Sequence, residues 1–191
     1  MPHEEMQLGR VIGHVTSTIE LIRRDITYKE PPLLLANDGT GRFEDMVESA
    51  GPIFRQRYSA RGLAVGDIDN DGDPDAVFSS LNDRPVVLRN REGQSRAWIG
   101  FALRGVESNR SAIGAKLTLR AGERKIVRWI AGGGSFLASH DRRIVFGLGS
   151  QTVPDRLELE IVWPNGAVQA VSGLSANRYH TVVERSTAKN R

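Results

Sequence analysis

The nine residues Asp67-Ile68-Asp69-Asn70-Asp71-Gly72-Asp73-Pro74-Asp75 constrain this chain more than any other stretch. Five carboxylates occupy alternate positions. On a tight loop, that placement turns several oxygens toward one point. Two carboxylates about 4 Å apart repel by roughly 4 kcal/mol at an effective dielectric of about 20. A hard divalent cation removes that cost, and calcium takes about 6–8 oxygen ligands at roughly 2.3–2.6 Å. Gly72 supplies the backbone freedom for the loop to fold back on itself.

An EF-hand opens the same way, but it needs a Glu at its twelfth position and a helix on either side. Counting from Asp67, the twelfth position is Phe78. The flanks, Leu63-Ala64-Val65 and Ala76-Val77-Phe78, are short apolar runs that read as strands. The stretch is therefore expected to be a calcium loop between two strands. Asp67, Asp69, Asp71 and Asp75 would offer side-chain oxygens. Asp73 would offer its backbone carbonyl, as the seventh position of such loops does. The plainer alternative is a solvated acidic turn, since Asp and Gly are ordinary turn residues. Alternating carboxylates in this number exceed what a turn requires.

A chain of 191 residues allows one large or two small domains. It contains no Cys, so no disulfide supports the fold. No apolar run reaches the roughly 18 residues that a membrane span needs. The N-terminus has no basic segment followed by an apolar one, so no signal peptide is read in this chain. The net charge of +3 hides an asymmetry. Residues 1–95 carry 11 basic against 16 acidic side chains, and residues 96–191 carry 15 against 7. A basic half raises nucleic-acid binding as a reading. The arginines are dispersed, as in Lys116-Leu117-Thr118-Leu119-Arg120, and no aromatic run lies among them as a stacking platform. They are expected to sit singly on exposed strand faces, which argues against nucleic acid as a partner.

Along the chain, Val15 to Arg24 reads equally as strand or helix. Pro32 to Asn37 reads as a strand, Asn37 to Gly41 as a turn, and Arg42-Phe43-Glu44 as the returning strand. The pattern recurs at Pro85 to Asn90. Pro32, Leu35 and Asn37 align with Pro85, Leu88 and Asn90 at a constant offset of 53 residues. A repeat of that length built from short strands indicates propeller blades or a related array. From Trp98 onward the chain reads as seven short strands. In one of them Ile113, Ala115, Leu117 and Leu119 share a face, and Ala131 to Ser135 breaks the sheet. Asn165-Gly166 marks a tight hairpin. Such a series fits a β-sandwich. Trp98, Trp129 and Trp163 lie in strand-like runs and are expected in the core. The tail from Ser186 is expected to be disordered.

Together these segments resemble a known family. The span from about Gly13 to Glu184 is similar to the C-terminal part of ASPIC/UnbV-type proteins, the group that includes cartilage acidic protein. The likeness rests on Pro32 to Gly39, Arg61 to Gly72, Ser108 to Ala115, Gly133 to Leu137, Phe146 to Gly149 and Val162 to Gly166. The acidic stretch is also the signature of the FG-GAP/VCBS repeat, one blade of an integrin-like propeller. The resemblance implies an all-β chain, with a partial β-propeller segment at residues 1–95, a β-sandwich-like ASPIC/UnbV domain at 96–185 and a tail at 186–191. It also implies that the chain is a fragment or a very short member, with an extracellular or periplasmic setting. Open blade edges would then favour self-association.

For chemistry, Gly134-Ser135-Phe136-Leu137-Ala138 lacks the second glycine of a nucleophile elbow. His140 and Asp141 follow, but a triad requires convergence in space. The four histidines show no metal-ligand spacing. The expected function is non-catalytic: a calcium-binding module for adhesion or for an unidentified protein or carbohydrate ligand. Some relatives lie near enediyne biosynthesis genes, so an accessory protein or enzyme of natural-product biosynthesis is the alternative. Nucleic-acid binding through the basic half is the second.

Overall fold

A computed structural model describes residues 28–91, 96–149, 153–154 and 156–186. The segment Val15 to Arg24 and the tail beyond Ser186 lie outside the described residues. The described chain is all-β apart from one short 3-10 turn, Pro52–Arg55.

The first strands form a hairpin. Leu35–Asn37 (β1) pairs antiparallel with Phe43–Asp45 (β2), with Asn37 opposite Phe43. The turn between them is built by short polar side chains. Asn37 Oδ1 accepts the Gly39 N–H at 2.7 Å, and Asp38 Oδ1 accepts the Thr40 N–H at 2.7 Å. Gly39 and Gly41 take the left-handed backbone that the turn requires, with φ of 82° and 92°. Next come Ala60–Gly66 (β3), Asp75–Ser80 (β4) and Val86–Leu88 (β5). They form an open three-stranded sheet in the order β3-β4-β5. The acidic stretch links β3 to β4, so the expected strand–loop–strand unit is present.

The remaining strands are Trp98–Arg104 (β6), Lys116–Ala121 (β7), Arg124–Trp129 (β8), Gly134–Ser135 (β9), Ala138–Ser139 (β10), Ile144–Gly147 (β11), Leu157–Val162 (β12), Val168–Val171 (β13) and Tyr179–Val183 (β14). One sheet has the order β11-β6-β14 and the other β13-β12-β7-β8. Both sheets contribute to one buried cluster. Ile99, Phe101, Phe146 and Val182 come from the first, and Leu117, Leu119, Ile126, Leu159 and Ile161 from the second. The Phe101 and Phe146 rings meet edge-on at 5.8 Å, and Trp163 is buried with its indole N–H donated to Gln169 Oε1. This is the sandwich, and its alternation follows the pleat. In β6, Ile99 and Phe101 face inward while Gly100, Ala102 and Arg104 occupy the opposite face.

Two details depart from expectation. Ile113 is 39% exposed, because Gly114 turns at φ 96° and β7 starts only at Lys116. Trp129 is 59% exposed. It ends β8, an edge strand, and the Lys116 ammonium lies 5.7 Å from its ring. The segment Ala131 to Ser135 breaks the sheet as expected: it joins neither sandwich sheet, and Gly134–Ser135 pairs only with β10. Lys116 and Arg120 are exposed on β7, as expected.

The chain divides into two compact units. One comprises residues 28–64, Val77–Val87 and Ser135–Ala138. In it Leu34, Phe54, Leu63 and Phe78 are buried, and Tyr58 meets Phe78 edge-on at 5.1 Å. The other comprises Val65–Ala76, Leu88–Gly134 and the described residues from Ser139.

Within the second unit, the end of β14 is held by an anion nest. Glu184 Oε2 accepts the backbone N–H groups of Val106, Glu107 and Ser108 at 2.7, 2.9 and 2.8 Å. Oε1 accepts the Ser108 hydroxyl and the Asn165 amide, both at 2.8 Å. Burial disfavours the carboxylate, but these donors outweigh it and hold the acid at about 2. A carboxylate whose acidity is strengthened by folding stabilises the fold above its unfolded range and loses that contribution on acidification. Glu184 therefore supports the fold above the ordinary value of 4.5, and the support fades as pH falls toward about 2. Glu184→Gln is expected to cost about 1–3 kcal/mol at neutral pH. It should also flatten the fall of melting temperature with acid in that window. Parallel pH–melting curves for wild type and variant would refute this role.

Candidate metal centre

The loop between β3 and β4 closes on Asp67, which is 2% exposed. Its Oδ1 accepts the Asp71 N–H at 3.1 Å, and Oδ2 accepts the Gly72 N–H at 2.9 Å and the Tyr179 hydroxyl at 2.7 Å. Asp75, also buried, braces the loop's other end. Its Oδ2 accepts the Ile68 N–H at 3.0 Å and its Oδ1 the Asn90 N–H at 2.9 Å. Asp71 Oδ1 accepts the Asp73 N–H at 2.9 Å. Asn70 takes φ 62° and Gly72 φ 94°, and these two left-handed residues make the tight turn.

The structure gathers three of the five aspartates. Asp67, Asp69 and Asp71 each offer an oxygen, and these atoms lie within 4.8 Å of one another. Asp69 is exposed and Asp71 half-buried, so the cluster opens to solvent on one side. Asp75 spends both carboxylate oxygens on backbone N–H groups, and Asp73 contributes its own N–H to the turn. A hard cation with oxygen ligands fits this all-oxygen donor set.

Residues outside the stretch complete the surroundings. Tyr179 packs its ring against Trp98 at 5.2 Å and lies so close to Gly100 that a Cβ there would overlap it. Burial pushes its phenol well above the ordinary range, and the bond to Asp67 and that carboxylate's charge push the same way. The Arg143 guanidinium lies 4.5 Å from the Tyr179 ring. It donates to the Asp67 carbonyl and to Asn70 Oδ1, and it pairs with Asp141. Burial works against its charge, but Asp141, Tyr179 and Asp67 together raise its pKa. Arg89 forms an ion pair with Asp69. Sequence reasoning did not find Tyr179, Arg143 or Arg89. No local pattern marks them, because Tyr179 and Arg143 reach the loop from 112 and 76 positions away.

The residues weighed for catalysis are engaged elsewhere. Ser135 Oγ accepts the Leu63 N–H at 3.4 Å. His140 Nδ1 accepts the Val65 N–H at 3.2 Å, and its ring lies against Gly134. Asp141 holds Arg143.

Family comparisons agree with this anatomy. Residues 105–189 match the ASPIC and UnbV family, and residues 26–78 match the FG-GAP-like repeat. The chain thus carries an FG-GAP-like repeat ahead of an ASPIC/UnbV domain. Both are generally non-catalytic modules, and FG-GAP repeats are typical of extracellular or periplasmic proteins. No curated protein matches the chain. Among the described residues, no helix is long and apolar enough to cross a membrane.

Two variants separate the loop's supports. Tyr179→Phe keeps the ring packing and removes one hydrogen bond, so it should lower stability by about 1 kcal/mol. Gly72→Ala puts a side chain at positive φ and drives its Cβ into the Trp98 ring. It should cost more, about 1–3 kcal/mol from backbone strain before the clash is counted. Chemical denaturation of both proteins checks the order. A Gly72→Ala protein as stable as wild type would show that the loop does not need this geometry.

Proposed function

We propose that the chain is a calcium-stabilised, non-catalytic binding or adhesion module of extracellular or periplasmic type. Its ligand would be a protein or a carbohydrate. The convergence of Asp67, Asp69 and Asp71 carries this reading. Five carboxylates lie in the loop, and two guanidinium groups, Arg89 and Arg143, reach it. The remaining negative charge calls for a cation. Asp67, Asp69 and Asp71 would bind it through side-chain oxygens, Asp73 through its carbonyl, and Asp75 through the lone pairs that its backbone donors leave over. The ion would tie the end of β3 to the start of β4. Residues 1–95 would then act as the blade segment and 96–185 as the sandwich. The open sheet β3-β4-β5 would leave edges for self-association.

Extracellular calcium modules work at dissociation constants of about 10⁻⁴–10⁻³ M. At calcium one hundred times that constant, the site should add roughly 2.7 kcal/mol to stability. Thermal melts of chelator-treated protein should rise saturably with added calcium, and Asp71→Ala should abolish the rise. Equal calcium-dependent shifts in wild type and Asp71→Ala would overturn the site.

A further inference from the structure

The outer face of the sheet β11-β6-β14 carries a second charged feature, distant in sequence from the acidic loop. Arg104 ends β6, Arg110 lies in the loop that follows, and Arg142 stands two residues ahead of β11. The three line one open pocket of about 350 Å³ together with Ser111 and Thr181. Ala102 and Leu103 complete its lining.

The strand register explains the convergence. β14 runs parallel to β6, setting Thr181 beside Ala102, and β11 runs antiparallel on the other side, setting Ile144 beside Phe101. Alternation places Ala102 and Arg104 on the face away from the core. The loop bearing Arg110 is fixed from both ends. Gly105 donates its N–H to the Arg110 carbonyl at 3.1 Å, and Asn109 holds Ile113 through two bonds of 2.8 and 2.9 Å. The Glu184 nest pins the loop's first residues. Arg142 is oriented by a 3.0 Å bond to the Ser111 hydroxyl.

Charge sets this pocket apart. Arg55, Arg57, Arg89, Arg143 and Arg156 are each paired with a carboxylate. Among the described residues, no carboxylate pairs with Arg104, Arg110 or Arg142, and none lines the pocket. Guanidinium forks match the oxygens of a tetrahedral oxyanion, and hydroxyls add neutral donors to it. A volume near the lower end of the usual ligand range suits one sugar-sized molecule. No aromatic side chain lines the pocket, so the base stacking that single-stranded nucleic acid uses has no platform here.

We propose that this pocket binds a sugar-sized ligand bearing a sulfate or phosphate ester, with Arg104, Arg110 and Arg142 around the oxyanion and Ser111 and Thr181 at its edge. The inference extends the binding reading but does not rest on the calcium site. Ester binding without a calcium-dependent melt would leave the pocket standing and overturn the loop, and the converse result would do the reverse.

Calorimetric titration of the full chain with glucose-6-sulfate and glucose-6-phosphate tests it, with glucose and inorganic sulfate as controls. Saturable binding of at least one ester is expected at millimolar or lower concentration, and the tighter of the two identifies the ester class. Arg104→Ala and Arg142→Ala should each weaken binding about tenfold, which is about 1.4 kcal/mol. Arg120→Ala, exposed on β7, should change it by less than about twofold. Thermal melts of the variants confirm that each is folded. Binding of neither ester, equal loss in Arg120→Ala, or inorganic sulfate bound as tightly as the esters would overturn the proposal. In the last case the pocket would hold an adventitious ion only.

Discussion

The structure around the acidic loop depends on one buried carboxylate, that of Asp67. A buried charge is costly unless hydrogen-bonded donors replace the water it loses. Asp67 obtains them from two sources. Two backbone N–H groups of its own turn meet it locally, and the Tyr179 hydroxyl meets it from β14. The local donors exist only because Asn70 and Gly72 take left-handed backbone, so the turn and the charge require each other. The distant donor is positioned by Trp98, Gly100 and Arg143. The loop is therefore specified by strand β14 as much as by its own sequence.

That dependence explains what could be read from the chain. The acidic turn was legible because its signal is local: alternating Asp, one Gly and an apolar run on each side. The β1–β2 hairpin was legible for the same reason, since Asn37 and Asp38 build its turn from within. Alternation also predicted that Ala115 and, in β7, Leu117 and Leu119 are buried. It failed at Ile113 and Trp129. Period two shows which residues share a face, but not where a strand begins or whether it lies at an edge. Ile113 precedes the strand, and Trp129 ends an edge strand whose outer side has no neighbour among the described residues.

The partners that complete each site were not legible. Tyr179 and Arg143 belong to β14 and to the segment before β11, and nothing near them in sequence refers to an aspartate turn. Glu184 looked like the end of a strand. Its role appears only when β14 lies parallel to β6 and brings the carboxylate to the N–H groups of Val106, Glu107 and Ser108. A parallel pairing joins segments far apart in sequence, and no turn motif marks it.

The basic half shows the same limit from the other side. Dispersal of arginines along the chain argued for single charges on exposed faces, and Arg120 on β7 obeys that rule. Dispersal in sequence is not dispersal in space. Arg104, Arg110 and Arg142 come from three segments, and the sheet order β11-β6-β14 collects them at one pocket. The strands that gather the arginines also position the acidic loop, for Tyr179 and Thr181 are alternate residues of β14 on one face. Tyr179 serves the aspartates and Thr181 lines the arginine pocket. Along β6, Gly100 and Ala102 lie between Trp98, which packs on Tyr179, and Arg104, which lines the pocket.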